Sequence, residues 1–350
     1  MKIFVTGGSG FFGINLIRLL LAEPGVERIV SYDLAPFDYP EGESVGDRLE
    51  TVIGDIRDYP AVARAMAGCD HVVHAAAALP LYSPTDIYST DVVGTNNVLN
   101  AARTTGVERT VHVSSTAVYG IPDHHPLREE DPKRGVGPYG RAKVKAEELC
   151  QNARAAGMVV PIVRPKSFIG PERLGVFALF YDWAATGHGF PILGDGCNRY
   201  QLLDVEDLAQ SVWVLLTATK SEANDTFNVG AARFSTMRRD FQAVLDAAGF
   251  GKRIIPIPAG PAVLALRAFE ALGVSPLYQW VYETAGKDSF VAVDKITSAV
   301  GFVPKYSNQD ALLRNFRWYL ANRRSFARAS GVSHRVPWKQ GILRAAKVLF

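Results

Sequence analysis

Cysteine is scarce in this 350-residue chain, and the three present, Cys69, Cys150 and Cys197, form no Cys-x-x-Cys pair. Neither a disulfide framework nor a thiolate metal site is suggested, and a reducing cytoplasm is the expected setting. The seven histidines form no ligand set either. His71 and His74 would face opposite sides of one strand, while His124-His125 sits in a turn-rich segment beside Pro122 and Pro126, so no metal is expected. No uncharged apolar run reaches the ~18 to 20 residues of a spanning helix. The opening MKIFVTGG lacks the cationic stretch, long apolar stretch and cleavage site of a secretory leader.

A large charge excess is also missing, and the net charge of +3 conceals an asymmetry. The last 28 residues hold seven cations and no acid, which leaves residues 1 to 322 at −4. Residues 323–350 read as a basic tail in which Ile342, Leu343, Ala346, Leu349 and Phe350 share a helical face. Such a tail suits peripheral contact with an anionic membrane, packing against a partner subunit, or disorder. No nucleic-acid signature accompanies the basic residues, and a homodimer is expected.

What is present is an alternation of short apolar, β-branched runs with helix-length segments. Strands are expected at 2–6, 28–32, 50–53, 71–74, 109–114 and 159–164, the pattern of a parallel sheet covered on both faces. The fold class is α/β, a doubly wound Rossmann sheet over residues 1–170 whose last strands extend to about 230. Residues 171–322 form a smaller mixed region expected to cover the substrate. It carries helices at 204–219, 235–249, 261–272 and 309–322 and a short strand at 227–229. Right-handed crossovers place a ligand crevice at the carboxyl ends of the strands.

Between the first strand and the first helix lies Thr6-Gly7-Gly8-Ser9-Gly10-Phe11-Phe12-Gly13. Gly7, Gly10 and Gly13 provide the sharp turn, the close approach to a pyrophosphate and the tight helix packing of a dinucleotide loop, so Phe11 and Phe12 lie against the cofactor. Asp33, ending the second strand 20 residues beyond Gly13, can accept from both ribose hydroxyls and would repel a 2′-phosphate. With Leu34 and Ala35 following instead of an arginine, NAD is expected over NADP. Asp55 and Ile56 after the third strand, and Ala75, Ala76 and Ala77 after the fourth, are further cofactor contacts; Asp55 can accept from the adenine amino group.

Tyr139 and Lys143 stand at i and i+4 of a helical segment and share a face. A free phenol, with a pKa of about 10, is a poor base at neutral pH; a nearby ammonium and an oxidised nicotinamide both favour the phenolate. Proton abstraction from a substrate hydroxyl, with hydride leaving the same carbon, is the expected chemistry. Ser114, Ser115 and Thr116, at the end of the fifth strand, offer hydroxyls to orient the substrate oxygen.

In order and spacing, TGGSGFFG, GDIRD, HAAA, VSSTAVYG, PYGRAK and RPKSFIGP resemble the extended short-chain dehydrogenases, over residues 1 to about 171. That family includes nucleotide-sugar epimerases and dehydratases and is similar to 3β-hydroxysteroid and sterol dehydrogenases. The resemblance implies that Ser115 is the catalytic serine, that Ser114 contacts the cofactor, and that Pro165, Lys166 and Ser167 lie near nicotinamide or substrate. Asp91 replaces the usual asparagine, altering a buried polar contact. Thr116-Ala117 replaces the Asp-Glu pair of dehydratases, so 4,6-dehydration is not expected. Arg199 lies one residue before the position where sugar-nucleotide enzymes bind diphosphate, and along a strand that shift reverses the side chain.

The apolar segment Leu174 to Trp183 suits a substrate pocket, a core or a subunit interface. A nucleotide-sugar epimerase is the first expectation, with Ser115, Thr116, Lys166 and Arg199 contacting substrate. A sterol-like alcohol dehydrogenase is the alternative, and an NAD-binding regulatory protein without turnover the second alternative.

Overall fold

A computed structural model describes residues 1–38, 46–261, 263–264 and 286–324. Its elements are β1 (Lys2–Thr6), α1 (Phe11–Ala22), β2 (Arg28–Asp33), β3 (Leu49–Ile53), α2 (Tyr59–Met66), β4 (His71–His74), α3 (Pro84–Tyr88), α4 (Thr95–Thr104), β5 (Arg109–Val113), α5 (Gly137–Ala155), β6 (Ile162–Pro165), β7 (Phe168–Ile169), α6 (Gly175–Ala185), β8 (Phe190–Leu193), β9 (Leu203–Asp204), α7 (Val205–Thr217), α8 (Lys220–Ala223), β10 (Thr226–Val229), α9 (Met237–Ala248) and β11 (Ile254–Ile257), followed by helices Asp294–Val300 and Asn308–Asn322.

Seven strands form one sheet in the order β10-β6-β5-β4-β1-β2-β3, every described pair parallel. This is the doubly wound sheet that the alternating pattern implies. Strand alternation sends Ile3 and Val5 into one core with Leu16 and Ile17 of α1 and Leu208 and Val212 of α7. Phe4 goes to the opposite core with Val62 and Met66 of α2 and Val98 and Ala101 of α4. Both faces are covered, which is why β4 and β5 are buried at every residue. The order of connection reverses between β1 and β4, and the crevice opens there.

The sixth strand begins later than the sequence pattern suggests. Val159 and Pro161 accept from Thr110 and His112 N–H groups, but Pro161 has no N–H to return, so regular pairing starts at Ile162. The segment Leu174 to Trp183 is core: Leu174, Phe180, Tyr181 and Ala184 pack with Leu245 of α9 and with Leu312 and Phe316 of the Asn308–Asn322 helix. The two-stranded pair β8–β11 lies beside this second core. All but residues 261, 263 and 264 of the expected helix at 261–272, and the tail from residue 325 onward, lie outside the described residues. Among the described residues no helix is long and apolar enough to cross a membrane.

Candidate active site

At the tip of β1 the backbone admits little but glycine. Gly7 has φ +74°, where L side chains are strained, and a Cβ on it would come within 2.8 Å of the Ala76 nitrogen. A Cβ on Gly13 would come within 2.1 Å of the Gly7 carbonyl. Helix α1 then begins after Gly10 with no side-chain cap and no acid in its first turn. Its uncapped amino end, with the dipole behind it, suits an anionic group such as a pyrophosphate. The Phe11 and Phe12 rings turn away from the loop onto Phe168, 5.8 and 6.2 Å between centroids, so they offer backbone rather than ring to a ligand there.

Asp33 ends β2 beside this loop. One carboxylate oxygen accepts from Ser9 N–H at 3.0 Å and the other from Ala35 N–H at 3.0 Å. Those bonds fix the carboxylate and leave lone pairs on both oxygens for a diol. Asp55 is differently placed: Arg57 grips it, with Nε at 3.0 and 2.8 Å from its two oxygens and Nη2 at 2.6 Å from one. The bonded guanidinium holds the Asp55 carboxyl below the usual carboxylate range, and an adenine amino group would share it with that arginine. Ile56 is buried under Gly94, where a Cβ would come within 2.5 Å of its Cδ1.

After β4 the chain is held by Thr6, whose hydroxyl accepts from Ala75 and Ala76 N–H at 3.2 and 3.1 Å. Ala77 follows, half-buried. His74 bridges Thr6 and Thr95 through its two ring nitrogens, at 2.8 and 2.9 Å. Burial and then the Lys143 charge push its pKa down to about 3, so it is a neutral brace at ordinary pH.

The amino end of α5, with Pro138 near its start, brings Tyr139 and Lys143 to the crevice. The Lys143 ammonium lies 5.7 Å from the Tyr139 ring centroid. Ser115 accepts from Ala117 N–H at 3.1 Å, and its hydroxyl hydrogen-bonds the Tyr139 phenol. Burial raises the phenol above its ordinary pKa, Lys143 opposes this, Asp91 adds to it, and the Ser115 bond opposes it. For Lys143 burial disfavours the charge, but Asp91 and Tyr139 outweigh it and the ammonium titrates above its usual range. The structure therefore brings Ser115, Tyr139 and Lys143 together as one coupled unit.

Asp91 belongs to that unit as well. It lies in a π-helical turn, Ser89–Gly94, between α3 and α4, and is 1% exposed. One oxygen accepts from Ala78 N–H at 2.8 Å. Burial pushes its carboxyl above the usual range, opposed by Lys143.

Ser114 faces elsewhere. Its hydroxyl donates to Glu147 at 2.7 Å, and Glu147 is gripped by Arg164 through Nε at 2.8 Å and Nη2 at 2.7 Å. Arg164 also donates to the Tyr119 hydroxyl at 2.7 Å, which in turn donates to Asn228 at 2.8 Å. This buried chain ties α5, the end of β5, β6 and β10 together beneath the Tyr139–Lys143 end of the helix. Sequence reasoning missed it: an acid within a helix, an arginine within a strand and an asparagine 81 residues from Glu147 carry no local signature of contact.

Past the end of β6, Pro165 closes the strand, the Lys166 ammonium donates to Ser289 at 2.7 Å over the Tyr200 ring, and Ser167 bonds the Tyr200 hydroxyl. Thr116 opens a 3-10 turn, Thr116–Tyr119, next to Ser115. Arg199 is exposed and stacks on Phe234 and Phe290, 5.0 and 4.3 Å from their centroids, while the adjacent Tyr200 turns toward Lys166. The one-residue shift thus sends the two side chains to different neighbours.

Residues 3–230 match the model of the NAD dependent epimerase/dehydratase family. The chain is similar to an uncharacterized protein, y4nG, of Sinorhizobium fredii, 36% identical over 97% of this chain and 84% of the relative. It is 32% identical, over 73% of this chain and 49% of the relative, to an Arabidopsis thaliana 3beta-hydroxysteroid-dehydrogenase/decarboxylase isoform. Among solved structures it resembles a dTDP-glucose 4,6-dehydratase of Streptomyces venezuelae with NAD and TYD bound, with a TM-score of 0.73, 27% identity and coverage of 93% of this chain and 98% of the other.

Proposed function

Because this chain belongs to the NAD dependent epimerase/dehydratase family, we propose that it oxidises a secondary alcohol of a nucleotide sugar and acts as an epimerase. The supporting observation is the coupled unit of Ser115, Tyr139 and Lys143 at the mouth of the crevice. NAD is the cofactor; Gly7, Gly10, Gly13 and the amino end of α1 would hold its pyrophosphate, and Asp33 its adenosine ribose. When bound, NAD accepts a hydride from the substrate carbon and can return it to the opposite face. Ser115 positions the substrate oxygen, Tyr139 takes the hydroxyl proton, and Lys143 stabilises the phenolate and would help hold the cofactor's ribose. Thr116 and Ala117 supply no acid to protonate a departing hydroxyl, which favours epimerisation over 4,6-dehydration.

The similarity to the Arabidopsis 3beta-hydroxysteroid-dehydrogenase/decarboxylase supports a second reading, oxidation of a sterol-like alcohol with release of reduced cofactor. The two are separated by purifying the protein, identifying co-purifying nucleotide by mass spectrometry, and screening UDP- and dTDP-sugars against hydroxysteroids. Retained cofactor with an isomerised sugar supports the epimerase; stoichiometric NADH with a ketosteroid supports the alternative; turnover of neither class refutes both.

Asp91→Asn tests the electrostatics of the base. Only the phenolate abstracts the proton, so the rate falls as pH drops through the Tyr139 pKa. The Asp91 charge raises that pKa, and asparagine keeps the oxygen that accepts from Ala78 while removing the charge. The acid limb of the kcat/KM profile is expected to move to lower pH; an unmoved limb would separate Asp91 from the base.

A further inference from the structure

Lys166 is 4% exposed, yet among the described residues no acidic side chain offsets its charge. Its ammonium has one hydroxyl acceptor, Ser289 at 2.7 Å, and lies 5.5 Å from the Tyr200 ring centroid. Burial alone pulls its pKa down to about 7. A buried cation without a partner acid is costly, and a hydrophobic side chain of similar size would be more stable there. The other buried cations are treated differently: Arg164 is paired with Glu147, Lys143 has the Asp91 charge beside it, and the Arg109 guanidinium donates to the Leu215 and Ala218 carbonyls.

The position of Lys166 matters as much as its isolation. Strands β5 and β6 pair Val113 with Val163, so two residues on Ser115 is level with Pro165, and Lys166 follows at the same rim. Its N–H continues the ladder to the Val229 carbonyl at 2.9 Å. Alternation then places its side chain on the face of Ile162 and Arg164, the face that α5 covers.

We infer that Lys166, with Ser289 and Tyr200, is a receptor for a carboxylate carried by the substrate beside the carbon that is oxidised. The inference rests on the reading of the crevice as the site of alcohol oxidation. One ammonium and one neighbouring hydroxyl match the single charge and two oxygens of a carboxylate; a diphosphate, with two charges, calls for more cations than this cluster holds. The carboxylate supplies the missing counter-charge, and the charge-assisted hydrogen bond gains strength from the burial that makes the empty cation costly.

The test uses NAD-loaded wild type, Lys166→Met and Lys166→Arg with two matched pairs: UDP-glucuronate against UDP-glucose, and a 3β-hydroxysteroid with and without a 4-carboxyl group. Each pair differs by one carboxylate, and the sugar pair shares its diphosphate. Affinity is read by calorimetry, oxidation by NADH absorbance and isomerisation by chromatography of the products. In wild type the acidic member of one pair binds at least about tenfold tighter; in Lys166→Met the ratio falls to about one, and in Lys166→Arg it recovers. Thermal melting of Lys166→Met at or above wild type shows that the variant is folded and that the lysine is not kept for stability. Equal affinities in wild type, a preference that survives Lys166→Met, or no binding of either acid overturns the inference. Acid binding that depends on Lys166 but yields no oxidation or isomerisation would instead overturn the reading of the reaction and leave the receptor standing.

Discussion

Tyr139→Phe is expected to lower kcat by about 10³-fold, within the range that a positioned general base supplies, while leaving NAD affinity within a few-fold of wild type. The substitution deletes one oxygen and keeps the ring, so the packing of the half-buried residue on α5 changes little. What is lost is the only group in the coupled unit suited to take the alcohol proton. The Ser115 hydroxyl remains, but an aliphatic hydroxyl held by a backbone N–H is a far weaker acid than a phenol beside an ammonium. Lys143 cannot replace it, because Asp91 still favours its ammonium and a lysine, with an ordinary pKa of about 10.4, keeps its proton at neutral pH. Steady-state kinetics on the screened substrate, with cofactor binding measured separately, decide the matter. Unchanged turnover would remove Tyr139 from the chemistry, and lost NAD binding would show a structural effect instead.

Glu147→Ala is expected to destabilise the fold by about 3 to 5 kcal/mol, the cost of leaving a buried charge without its partner. Glu147 and Arg164 have side-chain exposures of 0% and 2%. Removing the carboxylate strands the guanidinium, takes the acceptor from Ser114, and leaves Lys133, 3.5 Å from the same carboxylate, without its acid. The arginine retains the Tyr119 hydroxyl and the Glu129 carbonyl, at 2.7 and 3.0 Å, which soften the loss without neutralising the charge. Urea denaturation should show a lower midpoint at unchanged slope. The double variant Glu147→Ala with Arg164→Met should recover part of the loss, because neither charge then remains buried. A single variant as stable as wild type would show that water or rearrangement reaches the guanidinium. Since Ser114 and α5 hang on this pair, the single variant should also blur the placement of Tyr139 and lower turnover at temperatures where it is still folded.

The features legible in the sequence are local ones. Gly7, Gly10 and Gly13 could be assigned because a turn, a close approach and a helix start all fall within eight residues, and no distant group is needed to explain them. Tyr139 and Lys143 share a helical face by periodicity alone. The central strands announced themselves through β-branched runs buried on both sides, and β6 was misplaced only where Pro161 broke the hydrogen-bonding rule without breaking the apolar pattern. The segment Leu174 to Trp183 was open between pocket and core, because hydrophobicity records that a side chain is buried and not what buries it.

From the order of its residues alone, this chain determined a doubly wound sheet, a dinucleotide loop at its first turn and a tyrosine and lysine on one helical face, all products of short-range sterics and periodicity. Tertiary packing alone decided that the Ser114 hydroxyl donates to Glu147, that Asp91 is buried beside Lys143 and Tyr139, and that Lys166 is buried with no acid among the described residues to offset it. Those outcomes depend on burial and on charges many residues apart, and an electrostatic environment exists only once the chain has closed around it.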